Sequence, residues 1–247
     1  MEKLRCELRT ILWMTLVMGL SWFPGAKADL NDGLVAHYPF DGNANDESIA
    51  IKKFVTLGQE RHKLSLDYIS THYGIQKNKP IIDPKMIVIH WTAIDTLRSS
   101  YNAMRSERLP SHRSGIRRGG ALNVGVHFLV DRDGTIYQLM PETMFARHTI
   151  GLNLHAIGIE NVGGNPSTPL TEAQLIANQR LVRWLKNKYK IEWLIGHFEY
   201  QKFRGTHLWL EKDSSYFAKK IDPGSEFITR LRKLVMELKL KGPPTDK

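Results

Sequence analysis

Two histidines in this 247-residue chain stand in the same kind of place. His90 closes the apolar run Met86-Ile87-Val88-Ile89, and His197 follows Ile191 to Gly196. Runs of that length have strand character, and a strand fixed in a sheet can aim an imidazole from a rigid edge. A carboxylate, Asp222, stands in Lys220-Ile221-Asp222-Pro223-Gly224, where the Pro-Gly turn fixes the backbone. Two neutral imidazoles and one carboxylate suit a divalent cation such as zinc. Three protein ligands leave a fourth position for water, the arrangement of a catalytic site. Lys220 lies two residues before Asp222, so in an extended segment both side chains point one way, and a fixed ammonium there can stabilise an oxyanion. A second reading joins the His-x-Glu pair of His197-Phe198-Glu199 to a distant histidine as an iron-binding facial triad. The helical segments interleaved along the chain fit poorly with the all-β barrel that usually carries such a triad. With ten histidines present, spacing alone leaves both readings open.

The elements that must position these residues are legible in outline. Val124, Val126, Phe128 and Val130 alternate with other residues, and Asp133-Gly134 turns the chain into Thr135–Met140, a hairpin pattern. Ala156–Glu160 reads as a further strand. Leu97, Tyr101 and Met104 recur at helical spacing behind Asp95 as a cap. Thr171-Glu172-Ala173-Gln174 is a capping box, and Ala177, Leu181, Trp184 and Leu185 line one face of the helix it opens. Phe227, Leu231, Leu234 and Leu238 give a last amphipathic helix, begun by Ser225 and stopped by Gly242-Pro243-Pro244. Strands and helices mix throughout, so the expected fold is α/β, a single domain with a mixed central sheet flanked by helices.

The N-terminus has a different character. Lys3, Arg5 and Arg9 precede an apolar run from Ile11 to Phe23 and the small-x-small site Ala26-Lys27-Ala28. That run is shorter than the ~20 residues a membrane-spanning helix needs, so residues 1–28 read as a cleaved signal peptide, with no transmembrane anchor left after cleavage. The only cysteine, Cys6, leaves with it, which excludes disulfides, all-cysteine zinc sites and thiol nucleophiles from the mature chain. Residues 29–80 read as a linker and lead-in, in which Gly33–Asn43 resembles the opening strand of a laminin-G-like sandwich. The compact domain is expected over 81–240, with 241–247 as a tail. The net charge of +10 fits an anionic partner, whether cell-wall polymer, lipid headgroups or nucleic acid. No nucleic-acid motif accompanies it, so nucleic acid is not an expected partner.

Five segments occur in order: Val88-Ile89-His90-Trp91-Thr92-Ala93, Val126-His127-Phe128-Leu129-Val130-Asp131-Arg132-Asp133-Gly134, Ala156-Ile157-Gly158-Ile159-Glu160, Ile195-Gly196-His197, and Lys220-Ile221-Asp222-Pro223-Gly224. Together they resemble the type-2 N-acetylmuramoyl-L-alanine amidases, relatives of the peptidoglycan recognition proteins and of the phage amidases called lysozymes. The resemblance covers roughly residues 81 to 240. It implies zinc held by His90, His197 and Asp222, a catalytic carboxylate at Glu160 and a catalytic lysine at Lys220. It also implies groove-facing positions at His148 and Asn153, and peptidoglycan or muropeptides as substrate, met in the periplasm or outside the cell. Some relatives use a tyrosine where this chain has Val126, so the chain resembles the glutamate-using type. The stretch between His197 and Asp222 is longer than in compact members, with 201–217 resembling a bacterial insertion. Arg113, Arg117 and Arg118 are further candidates for holding anionic substrate. Two other classes stay open: a non-catalytic peptidoglycan-binding module on the same fold, and another exported zinc hydrolase, although His-Glu-x-x-His is absent.

Overall fold

The computed structural model describes residues 34–38, 51–54 and 58–245; the leader lies outside them. Its centre is three parallel strands, β6 (Ala156–Asn161), β3 (Met86–Trp91) and β7 (Trp193–Gly196), adjacent in that order. Each is almost wholly buried, which explains why all three read as unbroken apolar runs: helices and loops cover both faces of a parallel sheet. β4 (Phe128–Val130) pairs parallel with β6 and antiparallel with β5 (Ile136–Gln138). The expected hairpin is therefore present but shorter, with residues 124–127 outside the strand. At its turn Gly134 has φ +86°, and a Cβ there would lie 2.9 Å from the Ala173 carbonyl oxygen, so glycine is required twice over. β2 (Ile51–Phe54) and β1 (Leu34–Tyr38) extend the edge, giving seven strands in the order β1-β2-β5-β4-β6-β3-β7. The sheet is mixed and flanked by helices, as expected.

Alternation along the central strands sorts the two faces. Ile87, Ile89, Ile157 and Ile159 join the main core with α3 (Glu172–Lys188) and α4 (Ser225–Leu234). Met86, Val88 and Ala156 pack on the opposite side with Tyr200, Phe203 and Leu208. By the two-residue period, His90 and Glu160 share the second side. α3 carries the expected capping box, Thr171 accepting from Gln174 N while the Gln174 side chain accepts from Thr171 N. Removing such a cap costs ~1 kcal/mol.

Three expectations need correction. The lead-in expected over 29–80 holds a helix, α1 (Gln59–Tyr68), running into one π-helical turn, Ile69–Tyr73. Leu64, Tyr68, Ile69 and Tyr73 are buried in the main core, so that core takes in residues well before position 81. The cap of α2 (Leu97–Arg105) is Thr96, which accepts from Ser99 N. Asp95 instead accepts from the side chains of Asn165 and Thr168. α4 ends at Leu234 and leaves Leu238 in a separate 3₁₀ turn.

His127 is fully buried between two backbone groups. Its Nδ1 accepts from Gly158 N at 2.9 Å and its Nε2 donates to Met144 O at 2.8 Å, so both nitrogens are satisfied only in the neutral ring. Burial lowers its pKa to about 4 from the ordinary 6.5. Between those values the unfolded chain binds a proton that the folded chain refuses. The contribution is whole above pH 6.5 and falls by about 3 kcal/mol as pH drops through 4. Urea unfolding of His127→Gln between pH 7 and 4 is expected to lack that part of the acid destabilisation; equal slopes in wild type and variant would contradict it.

Candidate metal centre and active site

The register of the three parallel strands builds the site. His90 is paired with Glu160 across β3 and β6, and Ile89 with Gly196 across β3 and β7, so His197 follows at the level of His90. All three lie at the carboxyl ends of parallel strands, where open α/β sheets place their ligands. The fourth group arrives from the loop before α4. Asp222 O accepts from Phe198 N at 3.0 Å, and Gly224 N closes a turn onto Ile221 O, so the aspartate is tied directly to the segment carrying His197.

His90, His197 and Asp222 are buried, and one donor atom from each lies within 4.8 Å of the other two. His90 Nδ1 is 2.8 Å from His197 Nδ1, and Asp222 Oδ2 is 3.2 Å from the first and 2.9 Å from the second. Ligand atoms around a tetrahedral ion with bonds of about 2.0–2.2 Å stand roughly 3.3 Å apart. The observed triangle is slightly tighter than that. Burial lowers both imidazoles, His197 to about 4, so at neutral pH they offer lone pairs and no charge. Burial alone would raise the Asp222 carboxyl, but its partnership with His197, whose Nδ1 lies 2.9 Å from Oδ2, holds it well below the usual range. Two neutral imidazoles and one carboxylate are the deprotonated donor set that a divalent cation needs.

Glu199 does not join them. Its Oε2 accepts from Gly196 N at 2.8 Å, and both its oxygens pair with Arg232 at 3.0 and 2.5 Å. The His-x-Glu reading fails because that carboxylate is spent on locking α4 to the end of β7.

Glu160 stands one strand over from His90. Its Oε2 is sealed from solvent without a hydrogen-bond partner among the described residues. Burial, and secondarily Asp222, push the carboxyl up to about 8, while Lys220 and Arg113 pull the other way. Lys220 is partly buried, and its charge bears on His90, His197 and Glu160 alike. Its neighbour Lys219 is exposed. A desolvated carboxyl raised toward neutrality, with a lysine charge acting on it, is the kind of pair that serves proton transfer.

The two groove positions turn out differently. Asn153 is fully buried: its Oδ1 accepts from the backbone of His148 and Thr149, and its Nδ2 donates to Tyr73 OH. The expectation that it faces substrate is therefore replaced by a structural task, holding the 148–149 turn. The His148 ring lies against His90, with nitrogens directed at His90, Thr149 and the Ala156 carbonyl. Of the three arginines, Arg117 donates to Ser111 O, and Arg118 to Asp213 and Ser215. Only half-buried Arg113 bears on Glu160.

Thr149 and Arg147 are missed by sequence reasoning. Arg147 is buried and donates to Ile116 O, Leu122 O and Tyr216 OH, tying the arginine-rich loop to the 201–217 stretch. Its signal in the sequence is only adjacency to His148, because its acceptors are backbone carbonyls far along the chain.

The profile of the family described as N-acetylmuramoyl-L-alanine amidase (Amidase_2) matches residues 77–225, which include all five proposed ligand and catalytic positions. The endolysin of Klebsiella phage KP32 is 34% identical over 85 residues, 32% of this chain and 56% of that protein. The endolysin of Escherichia phage T7 is 32% identical over 102 residues, 36% of this chain and 68% of that protein. The first match thus spans little more than half of the relative. Among solved structures, the amidase LysC from Clostridium intestinale is 25% identical with a TM-score of 0.44, covering 65% of this chain and 88% of that one. Human PGRP-Iβ C, solved with a muramyl pentapeptide, is 22% identical with a TM-score of 0.44, covering 62% and 85%. Since the profile match takes in more than half of the chain, this protein belongs to the N-acetylmuramoyl-L-alanine amidase family.

Proposed function

We propose that the chain is an exported zinc-dependent amidase that hydrolyses the bond between N-acetylmuramic acid and L-alanine in peptidoglycan or its fragments. The observation that carries this reading is the convergence of His90, His197 and Asp222 near Glu160, whose buried Oε2 has no hydrogen-bond partner among the described residues. The family match and the endolysin relatives support the substrate class. Export rests on the basic start, the short apolar run and the Ala-x-Ala site of residues 1–28; no helix among the described residues is long and apolar enough to cross a membrane.

His90, His197 and Asp222 would hold the ion. When bound, zinc supplies Lewis acidity, which acidifies water and polarises a carbonyl. Glu160 takes one proton from the attacking water and delivers it to the leaving nitrogen. The water oxygen adds to the carbonyl carbon before the C–N bond breaks, and the second water proton is released from the new carboxyl, leaving a carboxylate on the muramic acid and a free amino group on L-alanine. Lys220 Nζ offsets the negative charge that develops on the carbonyl oxygen. Burial of Glu160 keeps its proton affinity near neutrality until the site is loaded, and a bound cation then favours the ionised form.

Digestion of purified peptidoglycan with zinc-loaded protein tests the reading. New alanine amino termini are expected, without new reducing sugars or cuts inside the stem. Tight binding to the polymer with no new termini would instead select a recognition module.

A further inference from the structure

The ring of His148 sits in a sequence of contacts running from the backbone of β6 to the metal centre. Its Nε2 is 3.2 Å from the Ala156 carbonyl oxygen, and its Nδ1 is 3.1 Å from His90 Nε2 and 2.8 Å from Thr149 Oγ1. Gly158 makes the room: a Cβ there would lie 2.8 Å from His148 Cγ. Asn153 holds the turn from below through the amides of His148 and Thr149.

Donor and acceptor rules then fix the protons. A carbonyl oxygen only accepts, so His148 Nε2 must carry hydrogen, and in a neutral ring Nδ1 is left as an acceptor. That acceptor has His90 Nε2 at 3.1 Å and the Thr149 hydroxyl at 2.8 Å, and a hydrogen on Nε2 of His90 is the tautomer that gives the ring-to-ring contact a donor. The lone pair of His90 therefore falls on Nδ1, the atom facing His197 and Asp222. Asp222 pulls the opposite way, since at 3.2 Å from His90 Nδ1 its Oδ2 would accept a hydrogen placed there.

We propose that His148 is a positioning residue that sets the tautomer of His90, with the Ala156 carbonyl as the fixed point, and so keeps His90 Nδ1 free to bind metal. This goes beyond the amidase reading and rests on it only for the identity of the ion. Metal-bound histidines gain orientation and basicity from a partner on the second nitrogen, and losing that partner costs ~10–100-fold in affinity.

The test uses the full chain with two substitutions. His148→Phe keeps a ring over Gly158 without either nitrogen, and His148→Asn returns an acceptor oxygen near the place of Nδ1. Long-range ¹H–¹⁵N spectra of the metal-free proteins report the His90 tautomer, and chelator competition with zinc alone reports affinity. Wild type is expected with hydrogen on Nε2 of His90. In His148→Phe the hydrogen moves toward Nδ1 and zinc affinity falls ~10–100-fold, and His148→Asn recovers most of both. An unchanged tautomer and affinity in His148→Phe would overturn the proposal. Should His148→Phe fail to fold, a His148→Asn variant that loses zinc affinity as far would overturn it equally, and one that keeps it upholds it. If wild type binds no zinc, the amidase reading fails, while the tautomer spectra still decide the role of His148.

Discussion

Glu160→Gln is expected to lower turnover by ~10²–10⁴ while leaving zinc content and binding to insoluble cell wall intact. Glutamine keeps the shape of the side chain at the end of β6 but cannot take the proton from water. Stability should move in the other direction. The Glu160 carboxyl, raised to about 8 by burial, stays protonated in the metal-free fold at pH values where the unfolded chain has released its proton. Wild-type stability therefore falls as pH rises from the ordinary carboxyl value through 8. The amide has no such dependence. Metal-free Glu160→Gln should gain on wild type in alkaline urea titrations and lose the advantage below pH 4.5. Near-normal turnover in the variant would remove Glu160 from the proton-transfer role without touching the metal assignment.

Asp222→Ala is expected to weaken zinc binding by more than the ~100-fold that marks the loss of an outer partner. Asp222 is the one charged donor of the three at neutral pH, since His90 and His197 are both lowered by burial. Without it, two nitrogens 2.8 Å apart face each other with no anion to complete the set. Elemental analysis after dialysis against a weak chelator reads the outcome directly. Full occupancy would mean that another carboxylate serves, and Glu199 would have to leave Arg232 and the Gly196 amide to do so. Lys220 and Lys219 offer the matched control, because both lie in the same loop but only Lys220 bears on the site.

The parts of the fold that could be read in advance are those whose signal is local. β3, β6 and β7 are continuous apolar runs, each meeting a polar residue at its carboxyl end, and parallel pairing then places His90, Glu160 and His197 in one row. The Thr171 capping box is likewise complete within four residues. α1 was illegible because its buried residues are Arg61, Leu64, Ser65 and Tyr68, a stripe that is half polar. Arg61 is buried only because the carbonyls of Met104 and Ser106 receive its guanidinium, which no local pattern announces. Asn153 fails for the same reason: its direction is set by Tyr73, eighty residues away in sequence. His148 is singled out by the resemblance as a groove position, but its place against His90 follows only once the Ala156 carbonyl and the bare face of Gly158 are brought beneath it.

One bond and one ion define the proposed activity, and a single measurement addresses both. Purified peptidoglycan is digested with the protein as prepared, after exhaustive chelation, and after zinc is restored, and the soluble products are identified by mass spectrometry. Intact stem peptides beginning with L-alanine are expected from the first sample, to vanish on chelation and to return with zinc. Stems released undiminished by the chelated protein, or fragments cut within the peptide, would contradict it.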